Sequence, residues 1–522
     1  MRVLFVFPDM SETTTNYTGV LNYGIASIAA CLRPRGHDVR LFHITQPVTE
    51  AEFKARIRAE RPDIVAFSSN SHYARRLKEW SAWSREAWDA PVIVGGIHAT
   101  LAPEDLAPVR AIDHICIGEG EATMTELLDR IESGGDTLHV EGLWSRDGER
   151  VVRNPMRVLP AGIDHLPAPD LSLFSFDELY GIRRGTFSFI MSRGCAFRCT
   201  YCCISTLQQM FPREGAYWRF LSPPRAVEVL RELLDRHMPD AREITFTDAV
   251  FFPNRKWLAE FVPLYAKNIE LPFSTNVRAD MLTEETVTLL AEAGCRTVRM
   301  GVESGDERIT TEILVRHLSI RHIRDAFAIA RRHGIQRMSY NMIGLPTERL
   351  PQALRTVRLN AELDPDEALA FIFCPYPGTA LHRLSAELGY LTDREFDHYK
   401  AGVTTNMPQF RESDILFVHR HFHALIRLYR TAARLPGALG RRAPDALDAV
   451  LASPLFPRRL IVRAKESYLR TRHAFGDWLV RRSPVLYRLL GGRDPVYSVR
   501  AVAGPAAGAS LHSAGARGAP AP

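Results

Sequence analysis

The chain has 522 residues, 46% of them apolar and 24% charged, with 33 Gly, 33 Pro and a net charge of +6. These proportions exclude a disordered, collagenous or coiled-coil protein, and the length calls for about three globular domains. Eight cysteines in such a length make no disulfide framework, and four of them fall within nine residues, which in a reducing compartment points to metal chemistry.

Met1 to Pro8 is apolar over too few residues for a signal peptide, and no later stretch reaches the roughly 18 uncharged apolar residues of a membrane span, so the expected location is cytoplasmic. Short apolar runs, RVLFVF, DVRLFHI, DIVAFSS and PVIVGG, then alternate with amphipathic segments such as GIASIAACLR and AEFKARIRAERP. That alternation predicts an α/β fold over 1–150, a doubly wound Rossmann-like sheet. A ligand of such a sheet sits outside the carboxyl ends of its strands. Those ends are Pro8-Asp9, Ser68-Ser69-Asn70, Gly95-Gly96-Ile97-His98 and Gly118-Glu119-Gly120-Glu121. No G-x-G-x-x-G follows the first strand, which disfavours a dinucleotide.

Residues 151–185 read as a Pro-rich linker. From Thr186 a second alternation runs through REITFT, PFSTN, RTVRMG, QRMSYNMIG and ALAFIF, six β/α units in all. Over 186–400 this predicts a partial (β/α)6 TIM-like barrel whose active face is the carboxyl ends of its strands. Residues 401–500 turn α-helical, best over Phe417 to Arg434 and Arg458 to Arg482, and 501–522 read as a disordered tail. Between Arg427 and Arg500, 16 Lys and Arg stand against 5 Asp and Glu. A solvated face accounts for that charge, as does a peripheral contact with membrane or an acidic partner; no nucleic-acid-binding motif accompanies it.

The strongest chemical signal is Cys195-Ala-Phe-Arg-Cys199-Thr-Tyr-Cys202, directly after the first barrel strand and Gly194. Three thiolates on one loop can hold three irons of a 4Fe-4S cluster and leave the fourth free for another ligand. A structural zinc would want a fourth ligand, and the adjacent Cys203 is expected to point away from its neighbour. Cys31, Cys116, Cys295 and Cys374 stand singly in apolar runs and read as core.

At these residues the sequence resembles the radical S-adenosylmethionine enzymes, whose signature has this spacing with an aromatic before the last Cys, here Tyr201. The resemblance implies that Cys195, Cys199 and Cys202 bind the cluster and that an external donor of flavodoxin or ferredoxin type reduces it. ITFTDAVF resembles the second-strand motif, with Asp248 in its first acidic position and Ala249 where a second acid is expected; STNVRAD carries Asn276 and Arg278, MGVESG carries Glu303 and Ser304, and NMIGLPTE resembles the fifth-strand motif. These residues, with Tyr201, are implied to surround S-adenosylmethionine: Asp248 at its ammonium, Arg278 at its carboxylate, Glu303 at its ribose. Alternatively, Arg278 and Glu303 pair with each other across neighbouring strands.

VIVGGIHATLAPE and IDHICIGEGEATMTELL resemble the cobalamin-binding domain that precedes many such barrels, and the combined resemblance covers about residues 1 to 400. It implies cobalamin contacts at Ser68, Ser69, Asn70, Gly95, Gly96, His98, Gly118, Glu119, Gly120 and Glu121. His98 and the two glutamates serve equally well as helix-terminus residues without a cofactor role. The first 150 residues lack a D-x-H-x-x-G, so cobalt is expected base-off. The implied activity is C-methylation of an unactivated carbon in a small molecule, a secondary metabolite or lipid included. A radical oxidative cyclisation of the anaerobic porphyrin cyclase type, or a cobalamin or iron-sulfur sensor without turnover, are the alternatives.

Overall fold

The computed structural model describes residues 1–10, 19–68, 70–176, 179, 185–211, 217–392, 402–468 and 471. Ser69 and the tail at 501–522 lie outside them, as does most of the helix expected at Arg458 to Arg482. Seven strands, β1 (Arg2–Pro8), β2 (Asp38–Ile44), β3 (Ile64–Ser68), β4 (Val92–Gly95), β5 (His114–Cys116), β6 (Leu143–Asp147) and β7 (Arg150–Arg153), form a first sheet in the order 2-1-3-4-5-6-7. The first five are parallel, and β6 and β7 add an antiparallel hairpin. The sequence pattern stops short of this hairpin, because LWSRD and RVVR are short, half polar without regular alternation, and only partly buried. Helices α1 (Tyr23–Leu32), α2 (Glu50–Glu60), α3 (Ala74–Ala87), α4 (Ile97–Leu101), α5 (Pro103–Leu106) and α6 (Gly120–Glu132) connect the strands. Asn22 caps α1, and Thr49 with Glu52 closes a capping box on α2.

The second sheet contains β8 (Thr186–Phe189), β11 (Glu243–Phe246), β12 (Phe273–Val277), β13 (Cys295–Glu303), β14 (Gln336–Ile343) and β15 (Glu367–Ile372), in the order 15-14-13-12-11-8 and parallel throughout. Its edges do not close, so it is the expected six-stranded partial barrel. The two-residue strands β9 (Ser192–Arg193) and β10 (Arg219–Phe220) pair beside it. Helices α7 (Cys203–Met210), α8 (Pro223–His237), α9 (Arg255–Asn268), α10 (Glu284–Glu292), α11 (Ile320–Arg332) and α12 (Leu350–Leu363) lie between strands, and α13 (Ala380–Glu387) follows β15. Side chains alternate along the strands: Val298, Met300 and Val302 of β13 are sealed against the helices, whereas Arg299 and Gly301 face the partly open inner side.

The helix expected over Phe417 to Arg434 is broken at His421 into α14 (Glu412–Arg420) and α15 (Phe422–Ala433). A further helix, α16 (Gly437–Ala452), was hidden in the sequence by two glycines and Pro444. Tertiary packing overrides that poor propensity: Phe422, Leu425, Ile426, Tyr429 and Leu451 share a core with α12 and β14. Among the described residues no helix is long and apolar enough to cross a membrane.

Candidate functional site

The carboxyl ends of the two sheets face one cavity of about 560 Å3. Ser68, Gly95, Gly96, Gly118, Glu119, Gly120 and Glu121 line one side, and Ser192, Arg193, Gly194, Thr247 and Ala249 line the other. Phe67, Ile93, Leu207 and Phe211 make much of the wall apolar. Glycine is needed at two of these places. Gly96 has φ +94 at the start of α4, and at Gly194, φ +82, a Cβ would stand 2.2 Å from the Tyr217 carbonyl oxygen.

Gly194 introduces the cysteine loop, which is fixed from outside. The Thr200 amide donates to the Leu314 carbonyl at 3.1 Å, and the Thr200 carbonyl accepts from the Leu381 amide at 3.1 Å. Cys195 is buried and its pKa is pushed up to about 11, chiefly by that burial. Burial also raises Cys199, opposed by the positive charges of Arg316 and Arg278. Cys203 does not point away from Cys202: their thiols hydrogen-bond, raising Cys202 and lowering Cys203. The cause is local, since Cys202 is the extended N-cap of α7 and Cys203 its first helical residue, so the chain turns between them. Among the described residues no three His, Cys, Asp or Glu side chains are gathered around a single ion position. The donor set nonetheless suits an anionic iron-sulfur group: three thiols within reach of one another's charge, next to two buried cations.

Strand ends complete the surroundings of the loop. Glu303 ends β13 at φ +65, after a register shift at Gly301, and receives the Tyr201 hydroxyl at 3.2 Å. A non-glycine residue held in that region marks local strain of the kind found at functional sites. Burial raises the Glu303 carboxyl pKa, partly offset by the Arg316 charge and the Tyr201 hydrogen bond. Arg278 does not pair with Glu303. Its Nε donates to Asp280 at 2.8 Å, another nitrogen donates to the Arg316 carbonyl, and its guanidinium carbon lies 4.0 Å from the centre of the Phe197 ring. Asp248 is fully buried, with Oδ1 bonded to the Met191 amide and the Ser192 hydroxyl and Oδ2 without a partner among the described residues. Asn276 donates to the Asp248 carbonyl at 2.8 Å, and Ser304 accepts from the Asp306 amide at 3.2 Å.

The candidate cobalamin contacts divide. Ser68 and the four glycines line the cavity. Asn70 caps a short helical turn through the His72 amide, and both His98 ring nitrogens are engaged, by Ser71 and Asp105 at 3.1 Å each. Glu119 and Glu121 reach across to the β9–β10 pair beside the half-barrel, Glu119 to Arg193 and Arg219 and Glu121 to Arg193, while Glu121 also accepts from the Ser27 hydroxyl of α1. Sequence reading missed Arg193, Arg219, Phe197 and Arg316. Arg193 and Phe197 adjoin or lie within the cysteine motif, whereas Arg219 and Arg316 carry no local signal.

A family model described as the radical SAM superfamily matches residues 189–359, and one described as a B12 binding domain matches residues 15–128. The chain belongs to the cobalamin-binding radical S-adenosylmethionine enzymes. The cofactors of this enzyme are a 4Fe-4S cluster, S-adenosylmethionine and cobalamin. It is similar to an uncharacterized methyltransferase of Pyrococcus horikoshii, 29% identical over 390 residues that make up 73% of this chain and 82% of that one. It is also similar to the hopanoid C-3 methylase of Methylococcus capsulatus, 26% identical over 78% of this chain and 77% of that one. The fold of the radical S-adenosylmethionine methyltransferase TsrM from Kitasatospora setae matches with a TM-score of 0.62 at 17% identity, covering 90% of this chain and 99% of that one.

Proposed function

We propose that this enzyme is a C-methyltransferase acting on an unactivated carbon of a small molecule. The observation that carries the reading is the shared cavity, which runs from the glycine-rich strand ends of the first sheet to Arg193 and Gly194 at the root of the cysteine loop. Two methyltransferases among the similar proteins support it. When bound, the three cofactors together supply radical hydrogen abstraction and delivery of a methyl group.

In this reading Cys195, Cys199 and Cys202 hold the cluster, Cys202 turning from Cys203 to do so. The unpartnered Oδ2 of Asp248 suits an ammonium group, and the Glu303 carboxylate, held from the loop side by Tyr201, suits ribose hydroxyls. Arg278, fixed by Asp280 and Phe197, presents positive charge to a carboxylate. Asn276 and Ser304 shape the strand ends through their backbone bonds. Ser68, Gly95, Gly96, Gly118 and Gly120 let a flat macrocycle approach the backbone, and the apolar wall excludes water from reactive intermediates. The substrate would lie on the inner face of the half-barrel. There Arg299 is held by the Ser274 hydroxyl and, at 3.4 Å, by Asn276, and Tyr340 packs against an exposed Phe371.

The test is anaerobic reconstitution with all three cofactors, followed by mass-spectrometric comparison of extract metabolites before and after reaction. A product heavier by a methyl in place of hydrogen, formed only with cobalamin, supports the reading. Loss of hydrogen without methyl gain would assign a radical cyclisation, and absence of 5'-deoxyadenosine would assign a sensor.

A further inference from the structure

We propose that the outer face of α15 and the start of α16 form a docking surface for anionic lipid membranes. The inner face of α15 is accounted for, since Phe422, Leu425, Ile426 and Tyr429 pack into the core with α12. Its opposite face is not that of an ordinary solvated helix. Leu428 on α15 is 42% exposed, and Leu435, in the turn that follows it and against Gly440 of α16, is 44% exposed; Arg427 and Arg434, their neighbours in the chain, are exposed as well. The stripe continues over the turn into α16, where Leu439 is 66% exposed and Arg441 and Arg442 face solvent.

Charge identifies the occupant. No acidic residue lies between Asp414 and Asp445, an interval holding six arginines. Two of these have partners, Arg420 with Glu466 and Arg430 with Asp364. Among the described residues Arg427, Arg434, Arg441 and Arg442 have no ion pair, although exposed arginines elsewhere on the surface commonly do. A row of unpaired guanidinium groups alternating with exposed leucines matches an anionic bilayer interface, which accepts the leucines among acyl chains and the arginines among phosphates. A nucleic acid would use the charge and leave the leucines in water. The chain's own sequence from Leu469 to Arg500 carries seven Arg against two Asp, a sign that repels this patch.

The surface is placed so that docking leaves the chemistry open. Arg430 bonds Asp364 at 2.7 Å, just past the end of α12 and before β15 begins. The distal end of α15 therefore lies at the amino ends of the barrel strands, opposite the cavity. This inference rests on the patch alone and stands or falls independently of the proposed reaction.

The test is flotation of the full-length enzyme with vesicles of phosphatidylcholine, with or without phosphatidylglycerol, at low and moderate salt. Binding is expected to phosphatidylglycerol vesicles only, and to weaken as salt rises. Removing each arginine should weaken it about fivefold, so Arg434→Glu, Arg441→Glu and Arg442→Glu together should lower it on the order of a hundredfold or more. A second variant, Leu435→Ser with Leu439→Ser, should weaken binding while its charge is unchanged. Unaltered thermal unfolding and iron content show that both variants fold. No flotation with phosphatidylglycerol, equal flotation with neutral vesicles, or variants that float as well as the parent would each overturn the proposal. So would a concentration-dependent dimer abolished by the same substitutions, which would assign the face to a second copy of the chain.

Discussion

Arg193, immediately before the glycine of the cysteine loop, bonds Glu121 across the boundary between the two sheets, 72 positions away in sequence. The same guanidinium also reaches Glu119, at 2.9 Å, and donates to the Ser27 hydroxyl at 3.1 Å. Together with Arg219, which also pairs with Glu119, this guanidinium ties the glycine-rich strand ends to the loop at the cavity.

Arg193→Ala should lower stability by roughly 3 kcal/mol, because it leaves the buried Glu121 carboxylate with neutral donors, the Ser27 hydroxyl and its own amide, in place of a cation. Burial pushes the Glu121 pKa up, yet the Arg193 bonds and charge outweigh it and the net shift is downward. A depressed carboxylate stabilises the fold above the ordinary carboxylate range and loses that contribution as pH falls through its folded pKa. Denaturant midpoints of parent and variant should therefore differ at neutral pH and converge in acid. A constant gap across pH would show that the pair does not carry the effect.

Asp248 behaves in the opposite sense. Burial, against the bonds from Ser192 and Met191, pushes its pKa up to about 7 in the cofactor-free protein. A carboxyl raised from about 3.9 favours the fold while protonated, and that contribution fades between about pH 4 and 7, by on the order of 4 kcal/mol at most. Asp248→Asn should flatten this part of the pH dependence of unfolding, and S-adenosylmethionine should stabilise the parent more than the variant. Identical pH profiles would remove Asp248 from the site.

The cysteines make a sharper comparison. Ala at Cys195, Cys199 or Cys202 should abolish iron incorporation, whereas Cys203→Ala should retain it. Iron analysis of the four purified, reconstituted variants decides this. Because Cys202 and Cys203 share a hydrogen bond, the informative contrary outcome is iron kept by Cys202→Ala and lost by Cys203→Ala, which would move the third ligand one residue along.

Among the described residues no histidine lines the cavity, and His98, the histidine closest in sequence to its glycines, spends both ring nitrogens on Ser71 and Asp105. The cob(II)alamin form of the protein should therefore show no nitrogen superhyperfine triplets in electron spin resonance, and His98→Ala should leave the spectrum unchanged. Triplets that vanish in His98→Ala would place its imidazole on cobalt.

The first sheet could be read because its parallel strands, buried on two faces, appear as short continuous apolar runs between amphipathic helices, and the second because its strands alternate between a sealed outer face and a partly open inner one. The β6–β7 hairpin and α16 could not, for their residues are half polar or poor in propensity and owe their structure to neighbours. At the site, Cys195 to Cys202, Asp248, Arg278 and Glu303 stand at strand ends or in a spaced motif, where sequence order and position in the fold coincide. Arg316 does not. It donates to the Gly301 and Val302 carbonyls from beyond the end of β13 and places its charge under Glu303 only once the chain has turned back. The Arg219 pairing with Glu119 likewise spans 100 positions, a relation that no local pattern encodes.

In the proposed reaction one cavity joins radical generation to methyl delivery on a carbon of the substrate. The most direct measurement is anaerobic turnover with S-adenosylmethionine deuterated in its methyl group, following both products by mass spectrometry. The proposed reaction should give a substrate-derived product carrying the deuterated methyl, together with 5'-deoxyadenosine that has gained a hydrogen from the substrate, and neither in Cys199→Ala. 5'-Deoxyadenosine formed at the same rate with no deuterium in any product would contradict it.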